Sequence, residues 1–267
     1  MDKFNSLVTP FRVFQNEILS SSYAAATYLA HHYAEKFIQQ GKKIFLIGEQ
    51  GIIDEMKLQG ISCVREPALN SMSRAGQTDS ALAPLSMETI DFKSLVDMDI
   101  GAVVVGYDSS FSNYKLAYAN ACLNYIPDCL FIATNTDSTY PSTFGPIPGS
   151  GCFVKALETC SGRKPVVCGK PETFILDHII ENRQRTDPSS DAVVIDRART
   201  IMVGDRFDTD IQFGAKARIK TILVLSGICQ AKDIAELSEK ESADSLTDED
   251  IVPDFVLNSV GDLLLAN

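Results

Sequence analysis

The segment Ile201-Met202-Val203-Gly204-Asp205-Arg206-Phe207-Asp208-Thr209-Asp210-Ile211 decides the fold. Its apolar start predicts a buried strand, and three more charged residues follow Gly204-Asp205 before a predicted helix. Carboxylates that crowd at a strand end repel one another unless a cation lies between them, and Mg²⁺ typically takes one or two carboxylates together with substrate phosphate. The segment therefore favours a metal site at Asp205. The alternative is a solvated turn in which Asp208 or Thr209 caps the helix.

A second strand end carries a lysine. The segment Val166-Val167-Cys168-Gly169-Lys170-Pro171 predicts a buried strand followed by a glycine that permits close approach and a lysine that can hold phosphate as a point charge. The alternative is an ordinary surface lysine. We expect Lys170 and Asp205 to form a phosphate-binding and metal-binding pair on neighbouring strand ends.

The rest of the chain alternates strand-like and helix-like segments, which predicts an α/β fold with parallel strands and a site at their carboxyl ends. Predicted strands cover residues 44–48, 102–105, 130–133, 165–168, 200–203, 221–225 and 254–257. Predicted helices cover residues 20–34, 52–58, 114–124, 153–159, 172–182, 209–217, 231–237 and 260–265, with Ser20, Ser21 or Ser22 as the cap of the first. Predicted loops cover residues 70–87, 138–151, 183–191 and 238–250.

Composition excludes several classes of function. The net charge is −11, which argues against nucleic acid and against an anionic membrane surface as partners, whereas a local cluster of donors could still bind a small anion. We expect no membrane span and no secretory signal. Seven cysteines without a C-x-x-C pair indicate a reducing cytoplasmic location, and three histidines make a zinc site of histidine and cysteine implausible.

At this point the sequence resembles a known family. The GKP segment at 169–171, the GDRFDTDI segment at 204–211 and the strand TILVLSGI at 221–228 resemble motifs III and IV of haloacid dehalogenase phosphatases. The resemblance is to the group with a large α/β cap, which includes phosphoglycolate phosphatase, 4-nitrophenylphosphatase and pyridoxal phosphate phosphatase. Residues 18–26, 101–108, 131–137 and 252–255 extend it in order through nearly the whole chain.

The resemblance implies roles for residues near the two strand ends. Lys170 would be a catalytic residue that steadies the phosphoryl group, with Gly169 beside the substrate. Asp205 would be a direct Mg²⁺ ligand, and Asp210 would be a supporting carboxylate near the metal waters. The substrate would be a small anionic phosphomonoester.

The resemblance also implies a substrate loop in the cap. Residues 135–140 would help to select the substrate through Asn135, Asp137 and Tyr140, although Asn135 and Asp137 could instead only shape a turn. Tyr140 occupies a position where the vitamin B6 enzyme has histidine, which argues against that substrate. The group further implies a homodimer formed through the cap.

The implied architecture is an incomplete Rossmann-like parallel-sheet core with a large α/β cap domain. Residues 1–24 would be a core remnant and the start of the cap, residues 25–164 the cap, and residues 165–267 the C-terminal half of the core. A core sheet without its central strand would expose apolar edges.

The family reaction needs motifs that this sequence does not show. A nucleophilic aspartate and a second aspartate two residues later belong to a DxDG-type motif, and a Ser or Thr belongs to a TNNS-like motif; neither stands before Ser20. Asp97-Met98-Asp99 is predicted to be an acidic turn at the start of a cap strand. We expect the chain to be a fragment of a phosphatase that acts on 2-phosphoglycolate or 4-nitrophenyl phosphate, and to be inactive alone. The alternative is a non-catalytic pseudophosphatase that acts as a dimerising or binding module.

Overall fold

The computed structural model describes residues 17–65, 90–186, 195–242 and 251–264. The chain divides into two compact units, residues 1–167 and residues 168–267. The loop predicted at 70–87 lies outside the described residues. No helix within the described ranges combines the length and the apolar character that a bilayer crossing requires.

The first unit alternates helices with parallel strands as predicted. Its regular elements are α1 Ser21–His32, β1 Lys43–Ile47, α2 Gln50–Leu58, β2 Cys63–Val64, α3 Phe92–Leu95, β3 Ile100–Val105, α4 Asn113–Tyr125, β4 Leu130–Ala133, β5 Thr139–Ser142, β6 Gly145–Pro148, α5 Ser150–Ser161 and β7 Val166–Val167. A π-helical turn, Glu35–Gln39, follows α1.

Five parallel strands form the main sheet of this unit in the order β2-β1-β3-β4-β7. Every residue of β3 is buried, and β1 is buried from its second residue onward. Such continuous apolar runs are expected where helices cover both faces of a parallel sheet. The strands predicted at 44–48, 102–105 and 130–133 are therefore confirmed to within two residues.

One strand belongs to a different sheet from the one predicted. β7 pairs with β4, with Ile132 opposite Val166 and Ala133 opposite Val167, so it is an edge strand of the first sheet. The expectation that it neighbours the strand before Asp205 is wrong for the described strands, because that strand pairs in the second unit. An apolar run predicts a buried strand, but periodicity carries no information on which sheet receives it.

The loop predicted at 138–151 contains a hairpin. β5 and β6 pair antiparallel, with Pro141 opposite Pro146 and a two-residue turn between Ser142 and Gly145. Proline cannot donate a ladder hydrogen bond and is confined to strand edges. Both strands of an isolated hairpin are edges, which is why the prolines are accommodated here.

The core of the first unit forms around aromatic side chains between β1 and α4. Phe45 and Tyr118 are both buried, with ring centroids 4.8 Å apart. Such a pair contributes about 0.5–1.5 kcal/mol beyond its area burial. The hydroxyl of Tyr118 accepts a hydrogen bond from the backbone N–H of Asp97 at 3.1 Å, so its polar end is satisfied.

The second unit has its own parallel sheet. Its described elements are α6 Phe174–Thr186, a 3₁₀ turn Arg197–Arg199, β8 Ile201–Gly204, a π-helical turn Phe207–Ile211, α7 Gln212–Ala217, β9 Lys220–Val224, α8 Ala231–Ser242, β10 Phe255–Leu257 and a 3₁₀ turn Val260–Leu264. The strand order is β10-β9-β8. Leu223 of the central strand is fully buried, whereas Ile201 of β8 is 45% exposed and Phe255 of β10 is 53% exposed. Apolar exposure at both outer strands agrees with the predicted edges.

Two helices in the second unit are longer than predicted. α6 extends to Thr186, and α8 runs to Ser242 although a loop was predicted from residue 238. The residues after Leu237 are Ser-Glu-Lys-Glu-Ser, which are compatible with a helix, and no glycine or proline ends it there. Their acidic character favours a solvated loop, but charge alone does not end a helix.

Candidate active site

Asp205 follows β8 directly, at the carboxyl end of the strand. Its Oδ2 accepts a hydrogen bond from the backbone N–H of Ile228 at 2.8 Å, and its backbone carbonyl accepts one from the N–H of Cys229 at 3.0 Å. Both donors belong to the loop after β9. The carboxyl ends of two neighbouring parallel strands therefore meet at Asp205, as expected for a site in an open α/β sheet.

Asp210 is a buried carboxylate that three donors surround. Its Oδ1 lies 2.5 Å from Nζ of Lys170, and its Oδ2 accepts the backbone N–H groups of Asp205 and Arg206 at 3.0 and 3.1 Å. The side chain of Asp210 is 4% exposed and that of Lys170 is 46% exposed. Asp210 thus holds the lysine and the start of the Asp205 turn together. That Asp210 also supports the waters of a bound metal ion stays a prediction.

The close approach of Asp210 to β8 requires the glycine that ends the strand. A Cβ atom added to Gly204 would lie 2.2 Å from Cγ of Asp210. The turn that presents Asp210 is π-helical, and such turns occur frequently at functional sites. The segment 204–210 therefore folds back on itself because Gly204 leaves the space.

Asp208 serves a different purpose from its two neighbours in the acidic run. Arg206 donates from Nε to Oδ1 of Asp208 at 3.0 Å and from an Nη atom to Oδ2 at 2.8 Å. The side chain of Asp208 is 63% exposed. Asp208 is thus solvated, as in the alternative interpretation, but neither Asp208 nor Thr209 caps the helix through its side chain, and Asp205 and Asp210 are held by the protein.

The predicted substrate loop lies at the carboxyl end of β4 in the first unit. The amide of Asn135 donates to Oγ of Ser21 at 3.2 Å, and its oxygen accepts the N–H of Asp137 at 3.2 Å. The carbonyl of Asp137 accepts the N–H of Gly151 at 2.9 Å. These contacts show that Asn135 and Asp137 shape the turn. Their part in substrate selection stays a prediction.

Tyr140 lies in the hairpin and is half exposed. Its ring stacks on that of Tyr107, with centroids 5.4 Å apart and planes inclined by 26°. Tyr107 also contacts Phe153 of α5, and the centroids of these two rings are 6.2 Å apart. The contact of Tyr107 with Tyr140 is not predictable from the sequence pattern of residues 101–108. Stacking between residues 33 positions apart leaves no trace in local periodicity.

Asp97-Met98-Asp99 forms the acidic turn predicted before a cap strand. Oδ1 of Asp97 accepts the N–H of Asp99 at 2.9 Å, and its carbonyl accepts the N–H of Ile100 at 3.0 Å. Lys43 pairs with both carboxylates at 3.2 and 3.8 Å. These contacts give the turn a structural role at the start of β3.

The fit of a metal ion rests on Asp205. No group of three or more His, Cys, Asp or Glu side chains in the described parts of the chain is arranged to hold a metal ion. Mg²⁺ keeps several waters and is commonly bound through one or two carboxylates plus substrate phosphate. A single carboxylate whose Oδ2 is fixed by an amide fits one position of such a shell.

The fold and these contacts define a class of protein, an α/β protein with a lysine and carboxylates at the carboxyl end of a parallel sheet. Residues 167–263 match the sequence model of a family described as HAD-hydrolase-like. Phosphoglycolate phosphatase 2 of Arabidopsis thaliana is 34% identical over 265 residues, which cover 98% of this chain and 75% of the relative. Glycerol-3-phosphate phosphatase of Gallus gallus is 33% identical, with 93% and 70% covered.

A solved structure agrees with these relatives. The p-nitrophenyl phosphatase from Archaeoglobus fulgidus aligns with a TM-score of 0.66 and 27% identity, over 100% of this chain and 78% of that one. The chain therefore belongs to the haloacid dehalogenase superfamily of phosphatases, which are phosphomonoester hydrolases. It spans between 62% and 75% of the length of the phosphoglycolate phosphatases that it matches.

Proposed function

We propose that this chain supplies the phosphate-holding lysine, the metal-binding carboxylate and the substrate-selecting cap of a Mg²⁺-dependent phosphatase for small phosphomonoesters. The observation that carries the proposal is the Lys170–Asp210 ion pair beside Asp205 at the end of β8. Similarity to phosphoglycolate phosphatase 2 and to a p-nitrophenyl phosphatase supports 2-phosphoglycolate or 4-nitrophenyl phosphate as the substrate class.

Each candidate site residue of the second unit has a defined role in this proposal. The ammonium of Lys170 donates to the phosphoryl oxygens and offsets their charge, while Asp210 keeps it in place. Gly169 leaves room for the phosphoryl group. Asp205 is the metal ligand, and Mg²⁺ when bound neutralises charge that develops on the transferred group. In the first unit, Asn135, Asp137 and Tyr140 select the remainder of the substrate.

The nucleophile is the part that the printed sequence does not supply. An aspartate oxygen must form a bond to phosphorus while the ester oxygen leaves with a proton from a second aspartate; water then hydrolyses the aspartyl phosphate. The three Asp-x-Asp runs at 97–99, 208–210 and 248–250 each precede isoleucine rather than glycine. We therefore propose that the chain alone has no turnover and that activity requires a segment with an Asp-x-Asp-Gly motif.

The test joins the N-terminal segment of phosphoglycolate phosphatase 2, up to the position aligned with Met1, to this chain. Phosphate release from 2-phosphoglycolate, 4-nitrophenyl phosphate and glycerol 3-phosphate is measured with Mg²⁺ and with chelator, for the joined protein and for the chain alone. We expect turnover only in the joined protein and only with Mg²⁺. Turnover by the chain alone would contradict the proposed absence of a nucleophile.

Matched substitutions in the joined protein separate the metal ligand from its neighbours. Asp205→Asn should lower kcat/KM at least a hundredfold, because the metal loses its protein carboxylate. Asp208→Asn is the control, since Asp208 is exposed and pairs only with Arg206 in the described part of the chain. Metal-dependent turnover that survives Asp205→Asn would overturn the metal assignment.

Self-association through the first unit is part of the same proposal. Exposed apolar side chains there include Leu58 at 79% and Phe144 at 100% exposure, and contact with another copy would remove such side chains from water. Sedimentation velocity on the full chain should give the mass of a dimer at micromolar concentration. A monomer at micromolar concentrations would rule out the homodimer.

The cytoplasmic location of the chain stays a prediction.

A further inference from the structure

The loop between β9 and α8 contacts Asp205 at three places. The N–H of Ile228 donates to Oδ2 at 2.8 Å, and the N–H of Cys229 donates to the backbone carbonyl at 3.0 Å. The third contact is Gly227, whose missing side chain would occupy the same space as the carboxylate. A Cβ atom there would lie 2.0 Å from Oδ2 of Asp205 and 2.5 Å from its Cβ and Cγ atoms.

The need for glycine at this position arises from Asp205 and not from the backbone. The φ angle of Gly227 lies outside the left-handed region, unlike that of Gly145 at +117° or Gly162 at +68°. A side chain at 227 would therefore meet no conformational penalty of that kind. The three atoms nearest to its Cβ all belong to Asp205, and all three distances are shorter than real Cβ contacts allow.

Other close-contact glycines of the second unit accommodate different residues. A Cβ on Gly204 would meet Asp210, and a Cβ on Gly214 would meet Cγ2 of Thr221 at 2.2 Å. Gly214 and Thr221 lie in α7 and β9, so that contact belongs to helix–sheet packing. At Gly227, by contrast, the absence of a side chain leaves the space that the Asp205 carboxylate occupies.

We propose that Gly227 is a positioning residue for Asp205, and that the loop 225–229 fixes the orientation of this carboxylate before a metal arrives. The Ile228 amide holds Oδ2, and Gly227 allows the carboxylate to lie against the loop, so Oδ1 is the oxygen presented to a cation. The inference rests on the proposed function only for the identity of Asp205 as a metal ligand. Hydrogen-bonded partners that orient a ligand in this way typically change metal affinity 10- to 100-fold when removed.

A double-mutant cycle on the full chain tests whether Gly227 acts through Asp205. Unfolding equilibrium constants are measured in urea from the amide signals of β9 for Gly227→Ala, Asp205→Gly and the double variant. Gly227→Ala should raise the unfolding constant at least tenfold in the unsubstituted background. In the Asp205→Gly background the three atoms that the added methyl would meet most closely are absent, and the same change should raise the unfolding constant less than threefold.

Gly214→Ala is the matched control, because its clash with Thr221 does not involve Asp205. It should raise the unfolding constant by the same factor in both backgrounds. If Gly227→Ala also has the same effect in both, Gly227 has only a backbone role and the proposal is wrong. Should Gly227→Ala fail to fold alone, recovery of a folded double variant supports the proposal, and an unfolded double variant contradicts it.

A second readout follows the metal site without any turnover. Mn²⁺ is titrated into the full chain, and broadening of the backbone amide signals of Asp205 and Ile228 is recorded by NMR. The Mn²⁺ concentration for half-maximal broadening should rise at least tenfold in Gly227→Ala and stay unchanged in Gly261→Ala, an exposed control. An unchanged concentration in Gly227→Ala would overturn the positioning role. Absence of broadening in the unsubstituted chain would instead contradict the metal assignment of Asp205, while the double-mutant cycle would still decide the role of Gly227.

Discussion

Asp210 carries a negative charge that is almost wholly removed from water. Two backbone amides and the Lys170 ammonium hold it, so each of its oxygens accepts at least one hydrogen bond. Burial of an ionised carboxylate is tolerated only with such partners. The residue therefore links the lysine after β7 to the turn after β8 within the second unit.

Replacement of Asp210 by alanine should destabilise the chain by about 2 kcal/mol or more, since two donors lose their acceptor. The amides of Asp205 and Arg206 lose their acceptor, and an unsatisfied buried donor costs about 1–3 kcal/mol. Lys170 is half exposed and can turn to water, so its contribution is smaller. Urea unfolding measures the change. Asp208→Ala, on an exposed carboxylate, should stay within about 0.5 kcal/mol, and equal effects of the two substitutions would contradict the difference in burial.

At the scale of elements, the start of α1 is set by one of three consecutive serines. Sequence patterns allow Ser20, Ser21 or Ser22 as the cap, and the structure selects Ser20, whose Oγ accepts the N–H of Tyr23 at 3.0 Å. Ser20 has extended backbone angles, whereas the two residues after it are already helical. The choice depends on where the chain turns, which three identical side chains cannot specify.

Ser20→Ala should therefore lower stability by about 1 kcal/mol, because an N–H of the first turn loses its acceptor. Ser22→Ala is the matched control and should have little effect, since alanine is a good helix former. Thermal unfolding followed by circular dichroism compares the two variants. A larger loss for Ser22→Ala would show that the helix begins elsewhere.

Asp254 joins the last strand of the second sheet to its centre. Its Oδ2 accepts the N–H and the hydroxyl of Thr221 at 2.9 and 3.0 Å, and Lys220 pairs with its other oxygen. The Lys220 ammonium and the Thr221 donors lower the pKa of this carboxyl. A lowered pKa in the folded state means that the stabilisation is complete above the unfolded value and is lost as the pH falls through the folded value.

Asp254→Asn should consequently flatten the acid side of the stability profile. The unfolded pKa of aspartate is about 3.9, so the difference between variants should be constant near neutral pH and shrink below about pH 4. Lys220→Met should remove part of the same slope, since Lys220 is the main cause of the shift. Urea midpoints between pH 2.5 and pH 7 provide the measurement. A parallel pH profile for wild type and Asp254→Asn would exclude this linkage.

The site was predictable where chemistry and local pattern coincide. Gly204-Asp205 after an apolar run specified a carboxylate at a strand end, and the fold places it there. The partner strand of β7 was not predictable, because its pairing depends on contacts between distant residues. The hairpin at Tyr140 was not predictable because its prolines at 141, 146 and 148 are typical of loops and cannot donate ladder hydrogen bonds. The Ile228 amide escaped prediction for a similar reason, although a glycine soon after β9 was a visible signal.

At the scale of the whole molecule, the seven cysteines are free and differ in exposure. Burial raises the pKa of Cys63 to about 11 and that of Cys168 to about 12. Only the thiolate is an effective nucleophile, so the half-buried Cys63 and the buried Cys168 should react slowly. Two cysteines are exposed, Cys152 in the first turn of α5 and Cys160 near its end, and partial burial raises the pKa of Cys160.

Brief treatment with iodoacetamide at pH 8 should therefore modify Cys152 first. Peptide mass spectrometry after increasing times gives the order, with Cys63 and Cys168 modified at least tenfold more slowly. Cys152→Ser should remove the fast phase and leave the slow ones unchanged. Equal rates at Cys152 and Cys168 would contradict the packing of the native chain.

The prolines of the β5–β6 hairpin affect the entropy that this hairpin loses when another group contacts it. Pro141 and Pro146 face each other, and Pro148 ends the second strand. The ring of proline fixes φ near −65°, so the hairpin at residues 139–148 has less backbone freedom, before any contact forms, than a ten-residue segment without proline. A group that contacts Tyr140 or Phe144 therefore immobilises little chain, and the conformational entropy lost on contact is correspondingly small.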